Sequence, residues 1–189
     1  MRNHLFLSSI LTMKKKLTIL FTPREGVGHV NSSTGIAESL RDRGHRIVFA
    51  IDHSFKGQLI PYGFEEELLD QDFKAPDVKP GENMAKRMLD SGLMTGLSSL
   101  DKVKSYVSDT KGSLFNGTIE KKMRNESRLQ AILEKYSPDV IVIDDVLGSP
   151  TLIYSNIPWV LSVSTNPLFY VDDECLPPGS SGITSNLIF

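Results

Sequence analysis

The sequence has little of what marks several classes of protein. Its 189 residues include one cysteine, Cys175, so no disulfide can form within the chain, which is typical of a reducing compartment such as the cytoplasm. No apolar run approaches the roughly 20 residues of a membrane-spanning helix. The formal net charge of −2 gives no reason to expect nucleic acid or an anionic membrane as a partner. Cys-x-x-Cys, His-Glu-x-x-His, P-loop and Gly-x-Ser-x-Gly patterns are also missing, so the sequence predicts no metal site and no serine-hydrolase triad.

The first residues differ from the rest of the chain. Residues 5–11 form a short apolar stretch, but three lysines follow at 14–16, where a signal peptide would have small residues for cleavage. We therefore interpret residues 1–16 as a disordered leader, place the folded domain at 17–189, and expect a cytoplasmic protein.

Apolar runs alternate with helix-patterned stretches along this domain. A continuous apolar run is typical of a strand buried on both faces of a sheet. Such runs, or plausible strands, lie at 17–22, 46–51, 64–69, 140–144 and 158–163. The alternation predicts a doubly wound, mostly parallel α/β sheet of the Rossmann-like type.

The helix patterns carry their own predictions. Residues 32–43 predict a helix capped by Ser32 or Ser33 and ended by Gly44 in a left-handed conformation. Shorter helical turns are expected at 57–62 and 151–156, and a charged loop at 71–83. Residues 84–136 look helical but irregular, and the last part is the clearest helix. Its predicted buried face consists of Ile119, Met123, Leu129, Ile132 and Leu133.

The junction between the first strand and the first helix is the best candidate for a functional site. It reads Gly26-Val27-Gly28-His29-Val30-Asn31. In open α/β sheets, ligands bind in the crevice at the carboxyl ends of the strands. A histidine placed there can take a proton near neutral pH and act as a general base.

Two aspartates end the fourth predicted strand and face the same crevice. A carboxylate from Asp144 would fix the tautomer of His29 and stabilise its cation. The alternative is that the pair only caps the turn that follows. The residues alone leave both interpretations open.

A dinucleotide-binding loop is a further alternative. Gly26 and Gly28 follow a strand, and Asp52 lies at the end of the second strand, where an acid can bind a ribose. The third glycine of that pattern is missing, because Asn31 stands there. The glycines would otherwise serve only to let the chain turn.

Taken together, these stretches resemble the amino-terminal half of UDP-glycosyltransferases of the UDP-glucuronosyl/UDP-glucosyltransferase family. The similarity runs from about residue 17 to 167. It rests on the order and spacing of segments at 28–31, 35–40, 43–45, 48–50, 138–144 and 157–160. The resemblance implies the amino-terminal Rossmann-like domain of a GT-B fold. It also implies that His29 is the general base and that Asp144, which closes the Asp-Val-Ile-x-x-Asp pattern, orients it.

The implied activity is hexosyl transfer from a UDP-sugar to a hydroxyl of a small lipophilic acceptor, as in detoxification. The acceptor would be held by the helical region 84–136 and the loop 164–170. The implied acceptor contacts are Gly28, Val30, Asn31, Asp145, Ser164 and Asn166. No bound cofactor and no metal is implied, since the UDP-sugar is a substrate.

The sequence departs from the family pattern in two places. Ser32 stands where many members have proline, and nothing after Pro167 resembles the domain that grips the UDP-sugar. We therefore expect a domain that ends early, lacks the donor domain, and transfers sugar poorly unless another chain supplies one. The alternatives are a non-catalytic domain that binds small ligands or a partner, and an NAD(P)-binding oxidoreductase.

Overall fold

A parallel sheet forms the centre of the molecule. The computed structural model describes residues 15–70 and 116–167, with isolated residues between 86 and 104. The strands are β1 (Thr18–Pro23), β2 (Arg46–Asp52), β3 (Glu65–Leu69), β4 (Val140–Asp144) and β5 (Trp159–Leu161). All pairings are parallel, and the five strands lie in the order β3-β2-β1-β4-β5. The predicted doubly wound Rossmann-like sheet is confirmed, and β5 is shorter than predicted.

Helices cover both faces of this sheet. They are α1 (Val27–Asp42), α2 (Asn116–Tyr136) and α3 (Pro150–Ile153), and two short 3-10 turns (His53–Phe55 and Ile60–Tyr62) join β2 to β3. Successive strand residues point to opposite faces. Phe21 and Phe49 therefore stack at 4.9 Å on the face that α1 covers, whereas Leu20 and Val48 pack against α2 and α3 on the other.

Helix α1 begins five residues earlier than predicted. Gly26 is its N-cap residue, and the Val30 N–H already donates to the Gly26 carbonyl oxygen at 3.0 Å. Ser32 and Ser33 therefore lie inside the helix, and Ser33 is fully buried. Glycine is tolerated here because the first N–H groups of a helix have no intrahelical partner. The earlier start places His29 in the first turn.

The predicted left-handed stop at Gly44 is confirmed. Gly44 has φ of +87°, its N–H donates to the Arg41 carbonyl at 2.7 Å, and the His45 N–H donates to the Leu40 carbonyl at 3.2 Å. These two bonds form a Schellman motif.

Replacing Gly44 by alanine is expected to destabilise the protein by about 1–2 kcal/mol, the cost of a left-handed conformation in a residue with a Cβ. The new Cβ would meet Lys16 at an ordinary 3.5 Å, so backbone strain accounts for the loss. Gly35→Ala in the exposed interior of α1 is the matched control and should stabilise by about 1 kcal/mol. Urea unfolding measures both, and equal effects of the two variants would contradict this account.

The buried face of helix α2 is apolar in the second half of the helix and polar in the first half. Leu129, Ile132 and Leu133 are buried as predicted, but Ile119 is 47% exposed and Met123 is 71% exposed, so these two assignments are wrong. This face continues instead through residues at i, i+3 and i+4 spacing that are polar. They are Thr118, Lys121, Lys122 and Asn125. This half of α2 lies over the carboxyl ends of the strands, where charged groups replace the apolar core.

Several predictions fall outside the described residues. These are the leader at 1–14, the loop at 71–83, most of 84–115, residues 168–170 of the predicted acceptor loop, and the segment with Cys175. Within the described part of the chain, no helix is both long and apolar enough to cross a membrane.

Candidate functional site

The candidate site lies where the strand order reverses. β1 leads outward to β2 and β3 on one side, and β4 leads to β5 on the other, so the crevice between β1 and β4 is the topological switch point at which such sheets bind ligands. Pro23 at the end of β1 is in register with Asp144 at the end of β4. The Arg24 N–H donates to the Asp144 carbonyl oxygen at 2.9 Å, which fixes the two strand ends together.

His29 and Asp144 meet in this crevice. Nδ1 of His29 lies 3.1 Å from Oδ2 of Asp144, and the side chains are 17% and 1% exposed. The same Nδ1 lies 2.8 Å from Oγ of Ser164, whose backbone N–H donates to Oδ1 of Asp144 at 3.3 Å. One nitrogen of the imidazole, which α1 carries, is therefore contacted by groups from β4 and from the segment after β5.

Gly26 makes room for this ring. A Cβ at position 26 would lie 3.2 Å from Cδ2 of His29, which is tighter than most real contacts. Gly26 has an extended backbone, which any residue can adopt, and a Cβ at Gly28 would have no atom within 4 Å. The small size of Gly26 is therefore explained by the close approach of the His29 ring, and no neighbouring atom explains a glycine at position 28.

The two aspartates lie in different surroundings in the structure. Asp145 accepts the Leu147 N–H at 3.0 Å, and so caps the following turn. Its carboxylate also pairs with Lys122 at 2.7 Å and lies 4.0 Å from Arg24. Asp144 is the acid beside His29, so each of the two alternatives applies to one residue of the pair.

The predicted acceptor contacts divide into two groups. Gly28, Asn31, Ser164 and Asn166 are exposed, and Ser164 contacts His29. The Val30 side chain is 4% exposed and packs in the core beneath α1, so it does not face the crevice. Asp145 is buried too, and its carboxylate is occupied by the cations described above.

A second charged cluster borders the site and was not predicted. Lys121 of α2 forms ion pairs with Glu25 and Asp52, and its Nζ lies 3.4 Å from Asp70. The polar stripe of α2 is the sequence signal that could have revealed it. A cavity of about 60 Å³ is lined by Arg24, Glu25, Asp52, Leu69, Thr118, Lys121 and Asp145. This cluster ties α2 to the ends of β2 and β3 and to the corner between β1 and α1.

Charge pairing governs the ionisation of this cluster. Burial raises the pKa of Asp52, but hydrogen bonds from Lys121 and Ser54 outweigh it and hold that pKa below its ordinary value. Burial lowers the pKa of Lys121, but Glu25 and Asp52 outweigh it and raise that pKa above its ordinary value. Both groups are therefore charged at neutral pH.

The same contacts bear on the dinucleotide alternative. Oδ1 of Asp52 accepts the Ser54 N–H at 2.8 Å, and Oδ2 contacts Lys121. A ribose would have to displace Lys121, so we do not carry this alternative forward. Among the described residues, no group of three or more His, Cys, Asp or Glu is arranged to hold a metal ion.

Comparisons with known proteins place the fold. Neither protein-family models nor curated proteins give a match. Among solved structures, the kitacinnamycin glycosyltransferase matches with 18% identity and a TM-score of 0.50, over 80% of this chain and 31% of that one. SnogD from Streptomyces nogalater matches with 18% identity and 0.48, over 79% and 35%. The spinosyn rhamnosyltransferase SpnG, complexed with thymidine diphosphate, matches with 14% and 0.49, over 87% and 37%.

These matches show the fold alone. The fold assignment rests on the kitacinnamycin glycosyltransferase, which matches with a TM-score of 0.50. The described chain has the architecture of the amino-terminal domain of GT-B glycosyltransferases. It spans about a third of the length of the structures that it matches.

Proposed function

We propose that this chain forms the acceptor-binding side of a UDP-dependent glycosyltransferase, in the cytoplasm, acting on small lipophilic hydroxyl compounds as in detoxification. The observation that carries the proposal is the His29–Asp144 pair at the switch point of a GT-B-like sheet. A nucleotide-sugar-binding domain would complete the site, either in the same polypeptide or in another.

The reaction follows from the ring nitrogen that is left available. Nδ1 of His29 is occupied by Asp144 and Ser164, so Nε2 is the atom that takes the proton from an acceptor hydroxyl. The acceptor oxygen then bonds to the anomeric carbon of the sugar while the bond from that carbon to the diphosphate breaks. The configuration inverts and UDP leaves with the electron pair. Asp144 stabilises the imidazolium that forms.

The proposed acceptor contacts are Gly28, Asn31 and Asn166, which are exposed, and the exposed surface next to Ser164. Val30 and Asp145 are better assigned to support of the crevice, because both are buried. The base sits on the rigid first turn of α1, which suits a group that must meet a bound hydroxyl in a fixed geometry.

The 189-residue chain by itself is expected to bind lipophilic hydroxyl compounds near His29 without transferring sugar at a useful rate. NMR of the His29 ring during titration with phenolic acceptors reports binding, and release of UDP from UDP-glucose reports turnover. Asn31→Ala should weaken binding, whereas Gln130→Ala, at an exposed position in the half of α2 that packs on the apolar core, is the matched control. Robust transfer by the chain alone would refute the need for a second domain.

The non-catalytic alternative shares the binding step but not the role of His29. A non-catalytic binding domain would bind small ligands alone and in complex with a nucleotide-sugar-binding protein. Neither form would release UDP from a UDP-sugar. Size-exclusion and pull-down experiments with a nucleotide-sugar-binding protein, followed by a UDP-release assay, distinguish the two.

A further inference from the structure

Ser164 stands in an unusual relation to the His29–Asp144 pair. Its hydroxyl oxygen is closer to Nδ1 of His29, at 2.8 Å, than Oδ2 of Asp144 is, at 3.1 Å. Oδ2 is buried, and within the described residues it has no partner in hydrogen-bond alignment. Two oxygens, from β4 and from the segment after β5, therefore converge on a single ring nitrogen.

This convergence decides which nitrogen carries the proton in the neutral ring. If Nδ1 lacked a proton, its electron-rich lone pair would lie 3.1 Å from a buried carboxylate oxygen, and the two would repel each other. With a proton on Nδ1, the Ser164 hydroxyl oxygen at 2.8 Å can accept it as a hydrogen bond, and the negative charge of Asp144 at 3.1 Å attracts it. The Nδ1–H form leaves Nε2 unprotonated, which is the form that a general base requires.

We propose that Ser164 is a positioning residue for His29. Its hydroxyl accepts the Nδ1–H beside the negatively charged Asp144 carboxylate, and so favours the tautomer whose Nε2 is free to take a proton. Ser164 is thereby assigned to the ring rather than to the acceptor. The role deepens the proposed function and rests on it for its purpose, but the hydrogen bond itself can be tested without any turnover.

The test is two-dimensional proton–nitrogen NMR of the full 189-residue chain with labelled histidine, and His29→Gln identifies the signal among the four histidines. In the wild type, the neutral ring should carry its proton on Nδ1. In Ser164→Ala, the ratio of the Nδ1–H to the Nε2–H form should fall about fivefold, the factor that a hydrogen bond of about 1 kcal/mol provides. Ser164→Thr keeps a hydroxyl and should restore the wild-type ratio.

Ser162→Ala is the matched control, because Ser162 lies in the same segment and its backbone N–H, which the variant keeps, donates to Ile143 at 2.7 Å. An unchanged ratio in Ser164→Ala, or an equal change in Ser162→Ala, overturns the assignment. If Ser164→Ala does not fold, the wild type still decides, because a neutral ring with its proton on Nε2 excludes the proposed bond.

The outcomes for the two proposals are separable. A changed tautomer in Ser164→Ala without any acceptor binding supports the positioning role and counts against sugar transfer. Acceptor binding and UDP release in the completed enzyme, with an unchanged tautomer in Ser164→Ala, support sugar transfer and overturn the positioning role.

Discussion

Replacing His29 by glutamine is expected to lower kcat for sugar transfer by a factor of about 10²–10⁴, the contribution of a positioned general base. Glutamine keeps a side chain of similar reach, and its amide can donate to the Asp144 carboxylate that now faces Nδ1 at 3.1 Å. The amide cannot take a proton near neutral pH. The loss should therefore appear in the chemical step, with acceptor affinity nearly unchanged.

The measurement uses the chain joined to or mixed with a nucleotide-sugar-binding domain that supports turnover, with single-turnover kinetics for the chemical step. His53→Gln is the matched control, because His53 is an exposed histidine in the 3-10 turn after β2, at the same end of the sheet. An equal loss in both variants, or a His29→Gln enzyme with full kcat, would exclude proton abstraction by His29.

Replacing Lys121 by methionine is expected to destabilise the protein by about 3 kcal/mol, the low end of the cost of breaking a buried ion pair. The substitution leaves Glu25, Asp52 and Asp70 close together without their shared cation. Because Glu25 belongs to the corner before α1, the variant should also weaken acceptor binding near His29. Chemical denaturation with urea at neutral pH measures the first effect.

The pH dependence of this loss has a definite sign. The folded pKa of Asp52 lies below its unfolded value, so its pairing stabilises the protein above about pH 4 and is lost as the pH falls through the folded value. The folded pKa of Lys121 is raised, so its contribution is complete below about pH 10 and is lost as the pH rises through the folded value.

The difference between wild type and Lys121→Met should thus be largest near neutral pH and shrink in acid, where the carboxylates take up protons. Lys56→Met, at an exposed position before Gly57, is the control and should cost under about 0.5 kcal/mol. A gap that stays constant from pH 7 to pH 3 would show that packing, not charge pairing, accounts for the loss of stability.

The sheet could be predicted from the sequence because its strands are continuous apolar runs, and β4 has the predicted bounds. The position of His29 at the junction between β1 and the first helix followed from the same pattern. The start of α1 could not be predicted, because glycines at 26 and 28 indicate a loop unless the helix is known to begin there. The resemblance implied Asp144 as the partner of His29, whereas the contacts of Asp145 with Lys122 and the Leu147 N–H needed side-chain geometry.

The polar half of α2 shows why the rest was harder. The buried face of a helix is predicted from the spacing of its apolar residues. In this half of α2, Ile119 and Met123 indicated a face that is exposed in the structure. The buried face runs through Lys121 and Asn125, whose partners come from strands more than fifty residues away. Charges that are satisfied only by the tertiary fold have no local signature.

The edge strand β5 carries an intrinsic fluorescence probe. Trp159 is the single tryptophan of the sequence, it lies on β5, and it is 43% exposed. β5 pairs with β4 and continues directly into the segment that bears Ser164. The intrinsic tryptophan fluorescence of the unlabelled protein therefore comes from one known place on β5, in register with Ile141 of β4. A shift in the emission maximum of Trp159 would report binding at that edge of the sheet, whether by another part of the polypeptide, a second protein or an apolar ligand.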